Sequence, residues 1–313
     1  MSDPQVTPLP RKTQGFRALQ IGYSPQTLAD RPAGFEALDN LANERPDWRE
    51  YWPMRQYLLN NELDEDTLYG FFSPKFPLKT GLSRADMERF MAARYKGEDL
   101  VSFSPFWDLN SFFINVFEQG DFFHEGIQAA CRAFVKRLGW PEALIDTVMH
   151  SRNSVFCNYF LANKKFWTRW LALGEQLFAI AESGDENDEL TRLLNANCRY
   201  GPEQIPRKIF VMERLASLLL LVDSELKTCA YDMFRLPPSA TPLNQFFYEA
   251  ASCDALKQVW MQSASPACIA SFMHTRNKVL GINPLEPATS GSQPPATACV
   301  GRDAHKITST LTV

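Results

Sequence analysis

The run DNLANERPDWREYWPMRQYLLNNELDEDTLYGFFSPKFPLKT, residues 39–80, carries more charged, amide and aromatic side chains than packing alone requires. A core strand needs alternating apolar residues and a core helix needs an apolar stripe, and most of this run has neither. Its polar side chains are Asp39, Asn40, Arg45, Asp47, Glu50, Arg55, Lys75 and Lys79. Mixed with tryptophan and tyrosine, they suit a pocket that grips a polar, partly anionic ligand. The alternative is a looped subdomain in which these groups cap and pin the chain.

The same run predicts a helix and then a strand. Asp47 stands where an N-cap would, with Glu50 at the spacing of a capping box, and the helix would continue through YWPMRQYLLNN. The segment TLYGFFS, residues 67–73, is rich in aromatic residues and predicts a strand.

Outward from this run, strands and helices alternate. Further strands are predicted at RALQIGYS (17–24), DLVSFSP (99–105), NSVFCNYFLAN (153–163) and ELKTCAYDMF (225–234), the last as an edge strand. Helices are predicted after the caps Ser83 and Asn163, in 106–139 as a pair broken near Gly120, over 209–222, and through 242–281.

This alternation predicts an α/β fold, a mixed sheet flanked by helices, with a helical C-terminal part at about 240–286. Residues 16–286 would form a single domain, without internal repeats. Residues 1–15 are expected to be a flexible arm, and the Pro-, Ser- and Thr-rich residues 287–313 a disordered tail. If the strands are parallel, their polar carboxyl ends at Ser24, Ser73 to Lys75 and Ser104 to Asp108 share one edge, where ligands bind.

Composition excludes several classes of function. The net charge of −4 gives no electrostatic footprint for nucleic acid. No apolar window is long enough to span a bilayer and no signal peptide is visible. Seven scattered cysteines without a CxxC argue against a disulfide framework or a zinc site and favour reduced thiols in a cytoplasm. Walker, GxGxxG, HExxH and GxSxG motifs are missing from the sequence.

Several single residues have both a structural and a functional interpretation. Glu213 lies in an otherwise apolar helix, where a carboxylate is costly unless it is paired, here with Arg214, or used as a general base. Lys75 and Lys79 follow a strand end, where they would neutralise a diphosphate or lie in a solvated loop. Asp39 and Asn40 would bind sugar hydroxyls or form Asx turns.

Three further residues give weaker signals. A lone histidine such as His124 or His150 is more often structural than catalytic. Asp108, after SPFW, could ligate a metal ion, but it has no second carboxylate close in sequence.

The order of these segments resembles bacterial glycosyltransferase-like proteins of polysaccharide and O-antigen clusters, several of which are domains of unknown function. The resemblance rests on DN…NERPDWREYWPMRQYL…LYGFFSPKF…KTGL, on SVFCNYFLANKKFWTRWLALGEQLF and on IPRKIFVMERLASLLL. It covers about residues 20–235, and it is one of order and spacing.

The resemblance implies a GT-A-like fold that transfers a sugar from a nucleotide-diphosphate donor to a glycan or glycolipid acceptor. Lys75, Lys79 and Arg55 would neutralise the diphosphate, and the expected catalytic bases are Glu213, Asp108 and His150, in falling order. Donor-binding residues would be Tyr23, Asp39, Asn40, Arg45, Trp48, Glu50, Asn158 and Arg214. The Asp-x-Asp metal motif of such enzymes is missing here, which leaves Mn²⁺ or Mg²⁺ dependence open.

Two leading interpretations therefore remain, with an enzyme of unrelated chemistry as a third possibility because a fold does not fix a function. The first is a hexosyltransferase-type enzyme of surface polysaccharide biosynthesis, cytoplasmic or at the inner face of the membrane, with a nucleotide sugar and a glycan or lipid-linked acceptor as partners. The second is a non-catalytic glycan-binding or assembly protein on the same fold, which the missing metal motif favours.

Overall fold

The computed structural model of the chain describes residues 15–282. The proposed tail lies outside these residues, and so does the proposed arm apart from Gly15, which begins the first strand. A six-stranded sheet organises the described part of the chain, in the order β2-β1-β3-β5-β4-β8. Its strands are β1 (Gly15–Gly22), β2 (Glu36–Asp39), β3 (Thr67–Phe72), β4 (Leu100–Ser102), β5 (Phe160–Ala162) and β8 (Thr228–Ala230). A separate antiparallel hairpin consists of β6 (Asn197–Tyr200) and β7 (Glu203–Pro206).

Five strands of the large sheet are parallel to one another, and β5 alone runs the other way. Strand β1 pairs in parallel with β2 and β3, and β4 pairs in parallel with β8. Strand β5 pairs antiparallel with both β3 and β4 and joins these two halves. The predicted mixed α/β sheet flanked by helices is thereby confirmed, and β8 is an edge strand as expected.

Helices cover both faces of this sheet. They are α1 (Pro25–Ala29), α2 (Tyr51–Asn60), α3 (Phe76–Thr80), α4 (Arg84–Arg94), α5 (Trp107–Ser111), α6 (Val116–Phe123), α7 (Ile127–Arg137), α8 (Lys164–Glu182), α9 (Glu189–Asn195), α10 (Arg207–Glu213), α11 (Leu215–Val222), α12 (Phe247–Ser263) and α13 (Pro266–Leu280). Short 3₁₀ helices span Pro46–Trp48, Glu142–Asp146, Met233–Arg235 and Pro242–Gln245. Among the described residues, no helix is long and apolar enough to cross a membrane.

Alternate residues of the strands enter two cores. In β3, Tyr69 and Phe71 pack with helices α2 and α7 to α11, whereas Leu68 and Phe72 pack with α3 and α4 on the other face. Both faces are buried because side chains alternate across a strand and each face is covered by helices. A third core, around Trp107 and Phe272, joins α5 to the C-terminal helices α12 and α13. Helices α12 and α13 confirm the predicted helical C-terminal part over the residues that the structure describes.

Local sequence signals placed several boundaries correctly. Ser83 caps α4 in a capping box with Asp86, and Asn163 caps α8 by accepting a hydrogen bond from the Phe166 amide. The strands predicted at 17–24, 67–73 and 99–105 correspond to β1, β3 and β4. Side chains and backbone amides a few residues apart decide these features, so nearby sequence suffices to predict them.

Four predicted elements differ in the structure. Asp47 does not cap α2, because its carboxylate accepts hydrogen bonds from Arg45 and Lys208 instead. The segment predicted as a pair of helices at 106–139 forms three, α5 to α7, and Gly120 lies inside α6. Only Phe160–Ala162 of the strand predicted at 153–163 is a strand. The helix predicted at 209–222 is divided at Arg214 into α10 and α11.

Candidate functional site

A polar cavity opens at the edge of the sheet where the parallel strands end. Its cavity volume is about 40 Å³, and the empty space amounts to about 380 Å³ when the adjoining solvent is included. Its lining residues come from five places in the chain: Glu50 and Met54, Phe71 and Ser73, Lys79, Cys157 to Tyr159, and Glu213. This edge is where ligands bind in open α/β sheets, so its location alone makes the cavity a candidate site.

The reversed direction of β5 supplies one wall of this cavity. A parallel strand brings its carboxyl end to this edge, as β3 does with Ser73. An antiparallel neighbour brings the residues that precede it, and residues 157–159 precede β5. Two distant segments of the chain therefore meet here, and the hydroxyl groups of Ser73 and Tyr159 lie 2.7 Å apart.

The backbone of this wall has an uncommon conformation. Cys157 and Asn158 have φ angles of 60° and 54°, in the left-handed region that non-glycine residues rarely adopt. Such residues cost on the order of 1–3 kcal/mol each and cluster at functional sites. The amide oxygen of Asn158 and the hydroxyl of Tyr23 are buried without a hydrogen-bond partner in the protein. Unpaired buried polar atoms are expensive, so these two atoms are candidates for ligand contact.

Glu213 ends α10 with its carboxylate at the cavity. One Nη of Arg214 donates to this carboxylate at 3.1 Å. About a third of the Glu213 side chain is accessible, and the residue lines the cavity. Burial of the rest nevertheless raises the pKa of its carboxyl group, and the nearby Arg214 opposes this effect. A carboxyl group with a raised pKa can exchange a proton nearer to neutral pH than an ordinary glutamate.

Arg214 holds Glu213 in place and is itself buried. Its guanidinium also donates to the Val116 and Phe210 carbonyls and to the Gln119 side chain. Gly120 leaves room for this group, because a Cβ there would lie 2.6 Å from the Arg214 Nε. Arg214, expected to bind the donor, is therefore an internal support of the site.

Lys79 brings a positive charge to the cavity. Its Nζ lies 3.7 Å from the Cys157 Sγ and 5.5 Å from the centre of the Phe106 ring. Burial opposes the ammonium form, but Cys157, Tyr159, Tyr200 and Glu213 act in the other direction and the pKa is raised overall. Burial raises the pKa of the Cys157 thiol to about 11, so this thiol is neutral at physiological pH.

Further charges surround the cavity. Burial, and then Lys79, lower the pKa of Lys75, which also lies within electrostatic range of Glu50, Arg49 and Glu203. Arg49 pairs with Glu203 of the β6–β7 hairpin at 2.7 Å and lies 5.5 Å from the Tyr200 ring centre. Burial raises the pKa of Tyr23, and Glu50 adds to this effect. The site therefore combines two carboxylates with several cations.

Arg45 and Trp48, two predicted donor-binding residues, belong to an internal network instead. Arg45 pairs with Asp47 and with Glu182 of α8, and the Trp48 Nε1 donates to Glu182. Lys208, with a side chain only 6% exposed, pairs with the same two carboxylates. Its Nζ lies 4.5 Å from the Trp48 ring centre. These groups pair their charges and hydrogen bonds with one another, and they thereby join the 3₁₀ helix Pro46–Trp48 to α8 and α10.

Arg55 also has an internal role. Its guanidinium donates to both oxygens of Glu175, one of which also accepts from the Tyr51 hydroxyl. It lies 4.5 Å from the Phe178 ring centre. Arg55 therefore fastens α2 to α8.

Asp39 ends β2 and Asn40 follows it, at the same edge of the sheet as the cavity. The Asp39 carboxylate accepts from the Leu41 amide, which makes an Asx turn. Asn40 is buried, and its side-chain amide lies 3.4 Å from the Asn43 oxygen. Neither residue lines the cavity.

Asp108 and His150, the other predicted bases, lie outside the cavity wall. Asp108 is completely buried and accepts hydrogen bonds from the backbone and hydroxyl of Ser239. Burial raises its pKa. His150 accepts a hydrogen bond from the Arg152 amide at its Nδ1, and burial lowers its pKa. Both have the structural role that was the alternative for His150.

The residues described here do not fit a metal centre at Asp108. Both of its oxygens are used by Ser239, and no group of three or more His, Cys, Asp or Glu among residues 15–282 could hold a metal ion.

A larger, shallower groove lies between α8 and α9. Arg137, Ser183, Asp185, Asp188 and Thr191 line it. These groups are taken up by helix capping, since Asp188 caps α9 and pairs with Arg137, and Ser183 contacts Thr191. The groove lacks the unpaired polar atoms of the sheet-edge cavity, so the latter is the stronger candidate.

Sequence reasoning identified four lining residues, Glu50, Lys79, Asn158 and Glu213, and three neighbours, Tyr23, Lys75 and Arg214. It missed the cavity contribution of Cys157 and Tyr159, and of Arg49 beside it. The prediction of a strand through 153–163 concealed the first two, since a regular strand would have placed both on one face of the sheet, under a helix layer, and not at the edge of the sheet.

Comparisons of this chain with protein-family models, with curated proteins and with solved structures give no match.

Proposed function

We propose that this chain is a GT-A-like glycosyltransferase, which moves a sugar from a nucleotide-diphosphate donor to a glycan or glycolipid acceptor in bacterial surface polysaccharide biosynthesis. The observation that carries the proposal is the cavity at the carboxyl edge of the sheet, lined by Glu50, Lys79, Asn158 and Glu213. Carboxylate, amide and ammonium groups in one small cavity match a ligand that has both hydroxyl and phosphate groups.

The acceptor hydroxyl needs a proton acceptor as its oxygen attacks the anomeric carbon. Glu213 is the best candidate, because it lies on the cavity wall, its orientation is held by Arg214, and burial raises its pKa. A general base in this position contributes about 10²–10⁴-fold to a rate. Glu50 then remains to bind sugar hydroxyls, as does the unpaired oxygen of Asn158.

The leaving diphosphate gains negative charge as the bond from the anomeric carbon to its oxygen breaks. Lys79 at the cavity wall and Lys75 beside it are the proposed neutralising groups. Arg55, the third cation expected in this role, remains with Glu175 on another surface.

The first experiment is a thermal-shift screen against UDP-, GDP-, CMP- and dTDP-sugars, with and without Mn²⁺. A ligand that binds only the folded protein raises Tm by mass action. A shift with one nucleotide supports a transferase and names the donor. If a folded sample shifts with none of these donors but does shift with free glycans, the non-catalytic glycan-binding alternative replaces this proposal.

Two variants then test the assigned roles. Glu213→Gln should lower transfer by about 100-fold or more while donor binding persists. Lys75→Ala should weaken donor binding and leave thermal stability nearly unchanged. Glu182→Gln removes a carboxylate of the internal network and should leave transfer unchanged in the folded fraction. Full transfer activity in Glu213→Gln would exclude Glu213 as the base.

A further inference from the structure

The tip of the β6–β7 hairpin lies near Arg49, which directly precedes Glu50 of the cavity wall. The tip contains Tyr200 and Glu203, on either side of Gly201. Tyr200 lies within electrostatic range of Glu213, Lys79 and Cys157, three residues of the cavity wall. Glu203 lies within electrostatic range of Lys75. The hairpin tip therefore lies beside the candidate site.

Besides the packing of Tyr200 on His124 and Phe210, the hairpin tip is contacted by Arg49. Its guanidinium pairs with Glu203 at 2.7 Å and lies 5.5 Å from the centre of the Tyr200 ring. Both partners are partly accessible, with 37% of the Arg49 side chain and 53% of the Glu203 side chain exposed. An ion pair this accessible is weak and can be exchanged for another anion.

The backbone at Arg49 is unusual for an arginine. Its φ of 44° and ψ of −127° fall in a region that glycine adopts easily and other residues rarely do. The strained residue immediately precedes Glu50 of the cavity wall and influences Lys75 and Tyr23 electrostatically. The chain thus presents a guanidinium where a glycine would fit with less strain.

We propose that Arg49 is a further phosphate-binding residue of this site, and that Glu203 occupies it as an internal competitor until a phosphate-bearing ligand arrives. The ligand's phosphate would then replace the Glu203 carboxylate on Arg49 and release the hairpin tip. A guanidinium binds either a phosphate or a carboxylate, and here one Arg49 nitrogen donates to one Glu203 oxygen, so a phosphate that accepts from two nitrogens would be the stronger partner. The inference rests on the diphosphate-binding part of the proposed function and adds its control by the hairpin.

Inorganic pyrophosphate is the probe that tests this exchange without sugar transfer. By calorimetry at low salt, Glu203→Gln should bind pyrophosphate about two- to fivefold more tightly than the unaltered protein, the range expected for loss of one exposed competing ion pair. Arg49→Gly should bind pyrophosphate more weakly than the unaltered protein. The double variant Arg49→Gly/Glu203→Gln should bind it as weakly as Arg49→Gly alone, because the competitor has no effect once Arg49 is gone.

The matched control is Glu225→Gln. Glu225 is an exposed carboxylate that pairs with Arg169 at 3.1 Å, so its substitution makes the same change in net charge and breaks a comparable ion pair. If Glu203→Gln binds pyrophosphate no more tightly than Glu225→Gln, or if no variant binds pyrophosphate, the exchange is disproved.

Hydrogen exchange gives a second, independent measurement. Amides of residues 197–206 should exchange faster when pyrophosphate binds the unaltered protein, and faster in Glu203→Gln without any ligand. Unchanged exchange in both cases contradicts the proposal. If pyrophosphate binds as described but every nucleotide sugar fails, the transferase proposal falls while the exchange at Arg49 stands.

Discussion

Two polar regions of this molecule have similar residue composition but differ in how completely their polar groups are paired with one another. The network of Arg45, Asp47, Glu182 and Lys208 has every charge matched by another within 3.3 Å. The cavity around Glu50, Lys79, Asn158 and Glu213 keeps an unpaired buried oxygen and a strained backbone. The difference shows that a high density of polar residues does not itself mark a binding site. Incomplete pairing is what distinguishes the candidate cavity from the network.

The largest expected effect in this comparison comes from breaking the network. Lys208→Met leaves Asp47 and Glu182 without their buried cation and should lower the free energy of unfolding by about 2–3 kcal/mol, below the full cost of a buried pair because both carboxylates are partly exposed. Urea denaturation of the variant and of the unaltered protein measures this loss of unfolding free energy. Lys165→Met removes a more exposed lysine, which pairs with Asp99 at the longer distance of 3.5 Å, and should cost less than about 1 kcal/mol. Equal losses in the two variants would contradict the buried network.

Gly120→Ala tests whether the buried Arg214, which supports Glu213 at the cavity, is as tightly packed as the network. Alanine favours a helix over glycine by about 1 kcal/mol. Here, however, its Cβ would meet the buried Arg214 guanidinium, so the variant should lose about 1–2 kcal/mol of stability by thermal or urea unfolding. A gain in stability would show that Arg214 is free to move.

The pH dependence of stability should have opposite signs in the two regions. Burial raises the pKa of Glu213, so the stability it contributes is present below about pH 4.5, its unfolded value, and is lost as pH rises through its folded value. For Glu182, burial acts to raise the pKa, but hydrogen bonds from Arg45 and Trp48 lower it overall. Its contribution is present above about pH 4.5 and is lost as pH falls.

Unfolding free energies of Glu213→Gln and Glu182→Gln between pH 3 and 8 measure these contributions, each as the difference from the unaltered protein. We expect the Glu213 difference to decline with rising pH and the Glu182 difference to grow. Parallel slopes would refute the distinction between the two regions.

The smallest effect is expected at the cavity wall. Asn158→Gly removes a left-handed residue and an unpaired buried oxygen, so it should raise stability by up to about 1 kcal/mol while weakening ligand binding. Ala264→Gly is the control, since Ala264 has a φ of 51° at the end of α12, away from the cavity wall. It should gain similar stability and keep binding unchanged. Loss of stability in Asn158→Gly would mean that the amide is structural.

Local patterns were enough to predict much of the fold. The strands β1, β3 and β4 and the caps Ser83 and Asn163 depend on residues close in sequence, and the shared edge of the strand ends follows from parallel pairing. Asp47 shows where this reasoning stops: a capping box was predicted, but Lys208, 161 residues away, holds the carboxylate instead. No local signal contains such a partner.

The site was predictable to a similar degree. Glu213 stood out as a carboxylate in an apolar helix, and Lys79 as a cation after a strand, and both line the cavity. Arg49 and Tyr200 could not be found, because their roles arise only when the hairpin folds back to residue 49. The metal role of Asp108 was not supported because Ser239, 131 residues away, uses its oxygens.

The reversed strand at the centre of the sheet also affects how the chain is synthesised. Strands β3 and β4 are complete by residue 102, yet neither pairs with the other, and the strand that joins them spans Phe160–Ala162. Until the ribosome delivers that segment, the nascent chain carries two open edges, each able to pair with the wrong strand or with another chain. The segment that closes this gap also brings Cys157 and Asn158, so the sheet gains its connecting strand and the cavity gains one wall in the same step, before Glu213 and the edge strand β8 are synthesised.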